Sequence, residues 1–400
     1  MASVRQSDLL TAVDEAHALE AMHAAGQTDG LPVVVPTPER VARMITQSGL
    51  DGDLSLGAVG PNLGAATIEK VCIAAVMAGC LPDHLPIVLA SVTAVCDERL
   101  DTTEWQATTH AISPLIIVNG PARSACGNIA GSFGALGPGH RANASIGRAV
   151  RLVLLNIGGA RPGVSDMALL GHGAKFGAVL AELEEDSPWP PLHTSLGFAA
   201  SDSTVLVVGT EPPHSVMSVG DADDPSAPDR LLDSLAATIA NVGSNNAYFR
   251  RGTVVVAINP DHAAALAKAG YDRSAVQLAL HERAANSWSR LRALNPTFAG
   301  PGTADTIIRA TARPEDILVI VAGGGGIYSA VFPSWGAGPH ANPYVVVHVA
   351  LDQACEVPPA RRIGVASERD ERRAISSRRP NHPSSNRSSP RHGGGGERRS

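Results

Sequence analysis

The sequence predicts an α/β fold in two halves, each built from strand, glycine-rich loop and helix units, with a disordered C-terminal tail. Three observations carry that prediction. Short β-branched apolar runs of strand length stand at residues 114–118 (PLIIV), 204–209 (TVLVVG), 253–258 (TVVVAI) and 316–322 (DILVIVA). Two of them run straight into glycine: Gly120, Gly127, Gly131, Gly134, Gly137 and Gly139 follow the first, and residues 323–326 (GGGG) follow the last. Helical spacing then alternates with the strands, in ANASIGRAVRLVLLN before residue 157 and in PDHAAALAKAGYDRSAVQLALHERA from residue 260. The expected organisation is residues 1–200 as N-terminal helices plus a glycine-rich-loop α/β domain, 201–352 as a second α/β domain, and 353–400 as tail.

Composition narrows the class. With 44% apolar residues in 400 a sizeable core is available, but only 4% are aromatic, so Ala, Val, Leu and Ile must fill it. No apolar run reaches the length of a membrane span. Asp8, Asp14 and Glu15 stand where a signal peptide needs a basic and then apolar stretch. Cys72, Cys80, Cys96, Cys126 and Cys355 form no CxxC pair, which argues against a disulfide framework or zinc knuckle and for a reducing, cytoplasmic setting. The net charge of −6 conceals an asymmetry. From residue 361 onward there are 11 Arg against 4 acids, which leaves 21 basic and 34 acidic residues in the remainder. The basic tail lacks aromatics and any reader motif, so nucleic acid is not the expected partner.

Taken in order, residues 7–25 carry Leu9, Leu10, Val13, Ala16, Leu19 and Met22 at helical spacing. Residues 31–35 (LPVVV) read as a short strand. Thr37, Pro38 and Glu39 supply a cap, a proline at the first helical position and an early acid. A Gly/Asp-rich connector runs to about residue 64. Thr67 caps a helix in which Cys72, Val76 and Cys80 share a face, and a second apolar helix runs through residues 89–95. Beyond about residue 353 Pro, Arg, Ser, Asn and Gly dominate, which cannot bury enough apolar surface to order a chain. That composition is also what an out-of-frame reading of a GC-rich gene gives, so the native C-terminus is expected to have been lost near residues 345–355.

The candidate site centres on residues 108–151. A strand, a glycine-rich loop and a helix entered through Asn or Ser present backbone N–H groups to an anion. The spacing fits neither the P-loop nor the dinucleotide fingerprint. Arg141, Arg148 and Lys175 are the expected cations, with Asn119 and Asn143 as further substrate-binding residues. His172 and Lys175 precede a run of carboxylates, Glu182, Glu184, Glu185 and Asp186, which reads either as a solvated helix end or as proton-transfer groups. Glu182, Glu185 and His172 are the catalytic candidates. Cys80, beside Gly79 at a helix end, is the expected working thiol. No His-x3-His or HExxH spacing supports a metal, and no cofactor is indicated.

Several blocks resemble an uncharacterised bacterial family. They are QATT at 106–109, PLIIVNGP at 114–121, GPGHRANASIGR at 137–148, GHGAK at 171–175 and AELEEDSPW at 181–189. The family is associated with, and sometimes fused to, proteins carrying a UGSC (selenocysteine or cysteine) motif. No UGSC or CGSC occurs in this chain, so the resemblance implies that such a redox centre lies on a partner. Cys126 stands where relatives are expected to carry an aliphatic residue, which leaves Cys80 as the preferred thiol. The resulting expectation is an oligomeric enzyme or enzyme subunit acting on a small anionic molecule, with thiol- or selenol-linked redox or lyase-type chemistry shared with a UGSC-type partner. The alternative is a non-catalytic ligand-binding or scaffold subunit.

Overall fold

A computed structural model describes residues 10–220, 224–300 and 302–351. The tail prediction, with Cys355, lies outside them. The chain enters through α1 (Glu15–Ala24), capped by the Asp14 carboxylate, and α2 (Pro38–Ser48), capped by Thr37 with Pro38 in its first turn. Between the two, residues 31–35 form no strand, contrary to expectation. Pro32 and Pro36 lack ladder donors, and the carbonyls of Leu31 and Pro32 accept instead from Arg148. The expected connector holds a hairpin, β1 (Ser55–Val59) and β2 (Gly64–Thr67). Helices α3 (Ile68–Met77), α4 (Leu85–Val95) and α5 (Thr102–Ala107) follow.

The first α/β half contains β3 (Ser113–Asn119), α6 (Ala122–Ala125), α7 (Arg141–Asn156), β4 (Val179–Ala181), α8 (Leu192–Ser195), β5 (Thr204–Thr210) and β6 (His214–Met217). The second contains α9 (Ala227–Ile239), α10 (Asn245–Phe249), β7 (Val254–Ile258), α11 (Pro260–Lys268), α12 (Arg273–Arg283), β8 (Ala285–Ser287), α13 (Trp288–Leu294), β9 (Ile307–Arg309), β10 (Ile317–Val321), β11 (Tyr328–Phe332) and β12 (Tyr344–His348).

Two mixed four-stranded sheets result, ordered β12-β5-β3-β4 and β6-β11-β7-β10. Their strand paths match. β3 and β4 are parallel across α7, and β7 and β10 are parallel across α11 and α12. β5 returns antiparallel beside β3, as β11 does beside β7. The last strand of each half then crosses over: β6 joins the second sheet beside β11, and β12 joins the first beside β5. The sheets therefore do not divide at residue 200, since β5 and β12 both lie with β3 and β4.

The sheets pack face to face. Leu115, Ile117, Leu206 and Val208 meet Val255, Ala257, Leu318 and Ile320 in one shared core. The alternate residues Ile116, Val118, Val205 and Val207 face α3, α4 and α7. On the other side Val254, Val256, Ile317 and Val319 face α9, α11 and α12. The order of layers is helix, sheet, sheet, helix. Each central strand is covered on both faces, which is why it reads as a continuous apolar run.

Candidate functional site

The predicted site residues separate into distinct places. Asn119, Glu182 and Glu185 come together at the C-terminal end of β3. Chain 182–186 leaves β4 as a loop, so the expected solvated helix end is corrected: Glu182 is fully buried. Its Oε2 accepts from Asn119 Nδ2 at 2.5 Å and from the Leu192 N–H at 2.7 Å, and its Oε1 accepts from Arg273 at 2.6 Å. Burial pushes the Glu182 carboxyl up and the Arg273 guanidinium down, against their mutual attraction. Glu184 accepts from Asn119, from the Gly120 N–H and from Arg123. Arg123 also grips Glu185 at 2.8 Å, and that hydrogen-bonded pair holds the Glu185 carboxyl down at about 2. Glu182 has three donors and no solvent contact, the arrangement of a structural ion pair. Glu185 is an ionised surface carboxylate. Beside them His193, buried, has neither ring nitrogen hydrogen-bonded and stands 4.0 Å from Glu184.

The glycine-rich loop and its expected cations do not form a cradle. Asn143 spends its side chain on the loop itself, accepting from the Ala130 N–H and donating to the carbonyls of Ala130, Ala135 and Val179. Arg148 is a clamp rather than an anion receptor. Its Nε and Nη2 lie 2.7 Å from the two Asp29 oxygens, and Nη2 also reaches Leu31 and Pro32. Arg141 donates to the Gly79 carbonyl at 3.0 Å. The expected exposure of Cys80 is corrected as well. The residue is 8% exposed, and burial drives its thiol up to about 12 although Arg141 pulls the other way. Cys72 is likewise held at about 12 and Cys96 at about 11.

His172 and Lys175 do come together, but at the other end of β3, about 20 Å from Glu182 by strand length. Lys175 Nζ lies 2.9 Å from Asp166 Oδ1, and Arg151 lies 3.2 Å from Asp166 Oδ2. Arg151 and Arg148, three residues apart on α7, thus serve different carboxylates. A recess of about 10 Å³, room for one water-sized group, sits among Gln106, Ser113, Arg151 and Lys175. Its walls approach closely because Gly147 of α7 passes Gly177: a Cβ on Gly147 would lie 2.8 Å from the Gly177 Cα. Behind it, His110 contacts Glu211 at 3.0 Å. Burial lowers the affinity of His172 for a proton, and Lys175 lowers it further. Burial also lowers the Lys175 pKa, against the pull of Asp166.

This end of the sheet concentrates buried polar atoms short of well-formed hydrogen bonds, Asp166 Oδ2 keeping only its ion pair with Arg151 and the His172 ring only its contact with the Ala111 backbone. Among the described residues eleven buried side-chain polar atoms lack a hydrogen bond, and six of them belong to Trp105, His110, Ser113, Asp166 and His172. Buried polar groups are normally satisfied, so this concentration makes the N-terminal end of β3 the candidate site. Sequence reasoning missed Ser113, Arg151, Asp166 and Glu211 as site residues. The blocks at 106–109 and 171–175 did point here, since Gln106 and Lys175 both line the recess. Among the described residues no group of three His, Cys, Asp or Glu side chains is placed to hold a metal, and no helix is long and apolar enough to cross a membrane. Compared with models of known protein families and with curated proteins, the chain matches none.

Proposed function

We propose that the chain is an enzyme or enzyme subunit that takes a small anionic molecule at Arg151 and Lys175 and moves a proton there through His172. The observation that carries this reading is the cluster of unsatisfied buried polar atoms around two cations and one carboxylate. Asp166 neutralises one of the two positive charges and leaves the other for a ligand. Ser113 Oγ, without a partner, supplies a hydroxyl at the same recess. Burial and Lys175 both favour the neutral ring of His172, the form that a general base needs.

The recess as it stands admits only a water-sized group, so a larger anion enters as residues 167–171 draw back while Asp166 and His172 keep their places. That segment carries Gly171 and exposes Met167, Leu169 and Leu170. With its own described thiols buried or held well above neutral pH, the chain takes any thiol or selenol from elsewhere. In this reading the UGSC-type partner supplies it and docks over those three apolar side chains. The second reading, a ligand-binding or scaffold subunit without chemistry of its own, rests on the saturated bonding of Glu182 and on the same exposed segment.

Titration of the full chain with acetate, glycine and inorganic phosphate, followed calorimetrically and by melting temperature, tests the proposal. At least one anion should bind saturably, and Lys175→Gln should weaken it about tenfold, as loss of one charge-assisted hydrogen bond does. Glu185→Gln should change nothing. Binding that survives Lys175→Gln intact, or no binding of any anion, refutes the site.

A further inference from the structure

A second concavity, of about 380 Å³, opens between α9, the start of β6 and residues 283–290. It shares no lining residue with the Arg151–Lys175 recess. Its size lies within the range of small-molecule sites, and polar and charged side chains line it alongside Ala237, Ala240, Val242 and Ala285. Asp229 and Asp233, one turn apart on α9, hold Arg283 between them at 2.7 and 3.0 Å. That side chain is fixed in place and its charge is more than compensated. Arg290, on α13, is exposed and has no carboxylate partner among the described residues. Its guanidinium is the uncompensated charge of the groove.

The neutral groups are arranged around that cation. Asn286, buried, donates to the Ala240 carbonyl at 2.7 Å and fixes the floor. Asn241, which also lines the groove, accepts from the Gly243 N–H through Oδ1 at 3.0 Å, and its Nδ2 is left without a described acceptor. Thr238 is committed to the Ser234 carbonyl. His214, exposed on the edge strand, and the Asp233 oxygen that Arg283 does not take complete the rim. Arg290, Asn241, Asp233 and His214 thus line one groove, with Arg283 already taken up by its two carboxylates.

We infer that this groove binds a small hydroxylated oxyanion, with its phosphate or carboxylate on Arg290 and Asn241 and its hydroxyl groups on Asp233 and His214. An anion alone would leave the free Asp233 oxygen and His214 unused, and a neutral polyol would leave Arg290 unpaired. The inference is independent of the function proposed for the recess.

Calorimetric titration of the full chain with glycerol 3-phosphate and with D-glycerate distinguishes the two oxyanions, with inorganic phosphate and glycerol as part-ligands. One of the first two should bind saturably and more tightly than either part-ligand. Arg290→Gln, at an exposed position that the fold does not need, should weaken that binding about tenfold, and Asn241→Ala should weaken it in the same direction. Lys175→Gln should leave it unchanged. The inference is overturned if neither compound binds, if inorganic phosphate binds as tightly as its ester, if Arg290→Gln binds as before, or if Lys175→Gln abolishes the binding.

Discussion

Replacing Glu182 by Ala distinguishes a structural carboxylate from a catalytic one. In the folded protein the side chain is out of contact with solvent and accepts from Asn119, Leu192 and Arg273. Removing it strands the Arg273 guanidinium, itself 8% exposed, without its counter-charge. Breaking one side of a buried pair costs about 3–5 kcal/mol. The Leu192 N–H also loses its acceptor, at about 1–3 kcal/mol for an unsatisfied buried donor. Asn119 is cushioned, because Glu184 still accepts from it at 3.0 Å. These costs overlap, since the space can fill with water, so a loss of about 4 kcal/mol is expected. That is a large part of the roughly 5–15 kcal/mol available to a folded domain.

Urea unfolding of the full chain, followed by circular dichroism, measures this loss directly. Arg273→Met should cost a similar amount, and the double variant Glu182→Leu with Arg273→Met should recover much of it, because neither charge is then buried alone. Anion binding at Lys175 should persist in whichever variants remain folded. A Glu182→Ala loss below about 1 kcal/mol at an unchanged urea slope would refute the reasoning.

Three further outcomes follow from the burial and pairing of other side chains. Native Cys80 should resist iodoacetamide at neutral pH and Cys96 should label ahead of it, since burial holds the two thiols at about 12 and about 11; rapid labelling of Cys80 in the folded chain would contradict this. Because these folded values lie above the ordinary thiol value of 9.0, the stability they contribute is complete below that pH and is lost as pH rises beyond it, which urea midpoints measured from pH 8 to 10 would record. Arg148→Ala should lower stability by about 2–4 kcal/mol through loss of the Asp29 clamp, with little recovery in Arg148→Lys because one ammonium cannot span both carboxylate oxygens; anion affinity that falls while stability holds would restore the receptor role.

The central strands were legible because burial on both faces leaves an unambiguous apolar run, and the capped helices because Thr37 and Thr67 do their bonding within one turn. What could not be read was whatever depends on distant pairing. β6 has four residues, of which only Val216 is buried, so nothing in its own pattern marks a strand. Its identity comes from β11, more than a hundred residues later. β12 is placed beside β5 in the same way. The crossover of the two final strands, which ties the halves together, therefore leaves no local signal. Residues 31–35 show the converse: β-branched content suggests a strand, yet two prolines and the reach of Arg148 hold the segment otherwise.

Site residues were legible as types and not as partners. Glycine density, basic residues and a carboxylate run drew attention to these segments, but adjacency in sequence was a poor guide to adjacency in space. Lys175 and Glu182 are seven residues apart, and the strand β4 between them carries them to opposite ends of β3. Arg273 meets Glu182 across 91 positions, and Arg148 meets Asp29 across 119. Each of these long-range pairs removes a charge that the sequence made available for chemistry. The Arg151–Asp166–Lys175 group differs because its charges do not cancel: two cations share one acid. A fold that satisfies nearly all its other buried charges leaves this excess beside His172 and beside Ser113, whose hydroxyl is also unpaired. Imbalance of charge and of hydrogen bonding at one place, rather than the glycine-rich loop that first draws the eye, is what selects the N-terminal end of β3 as the place to look for chemistry.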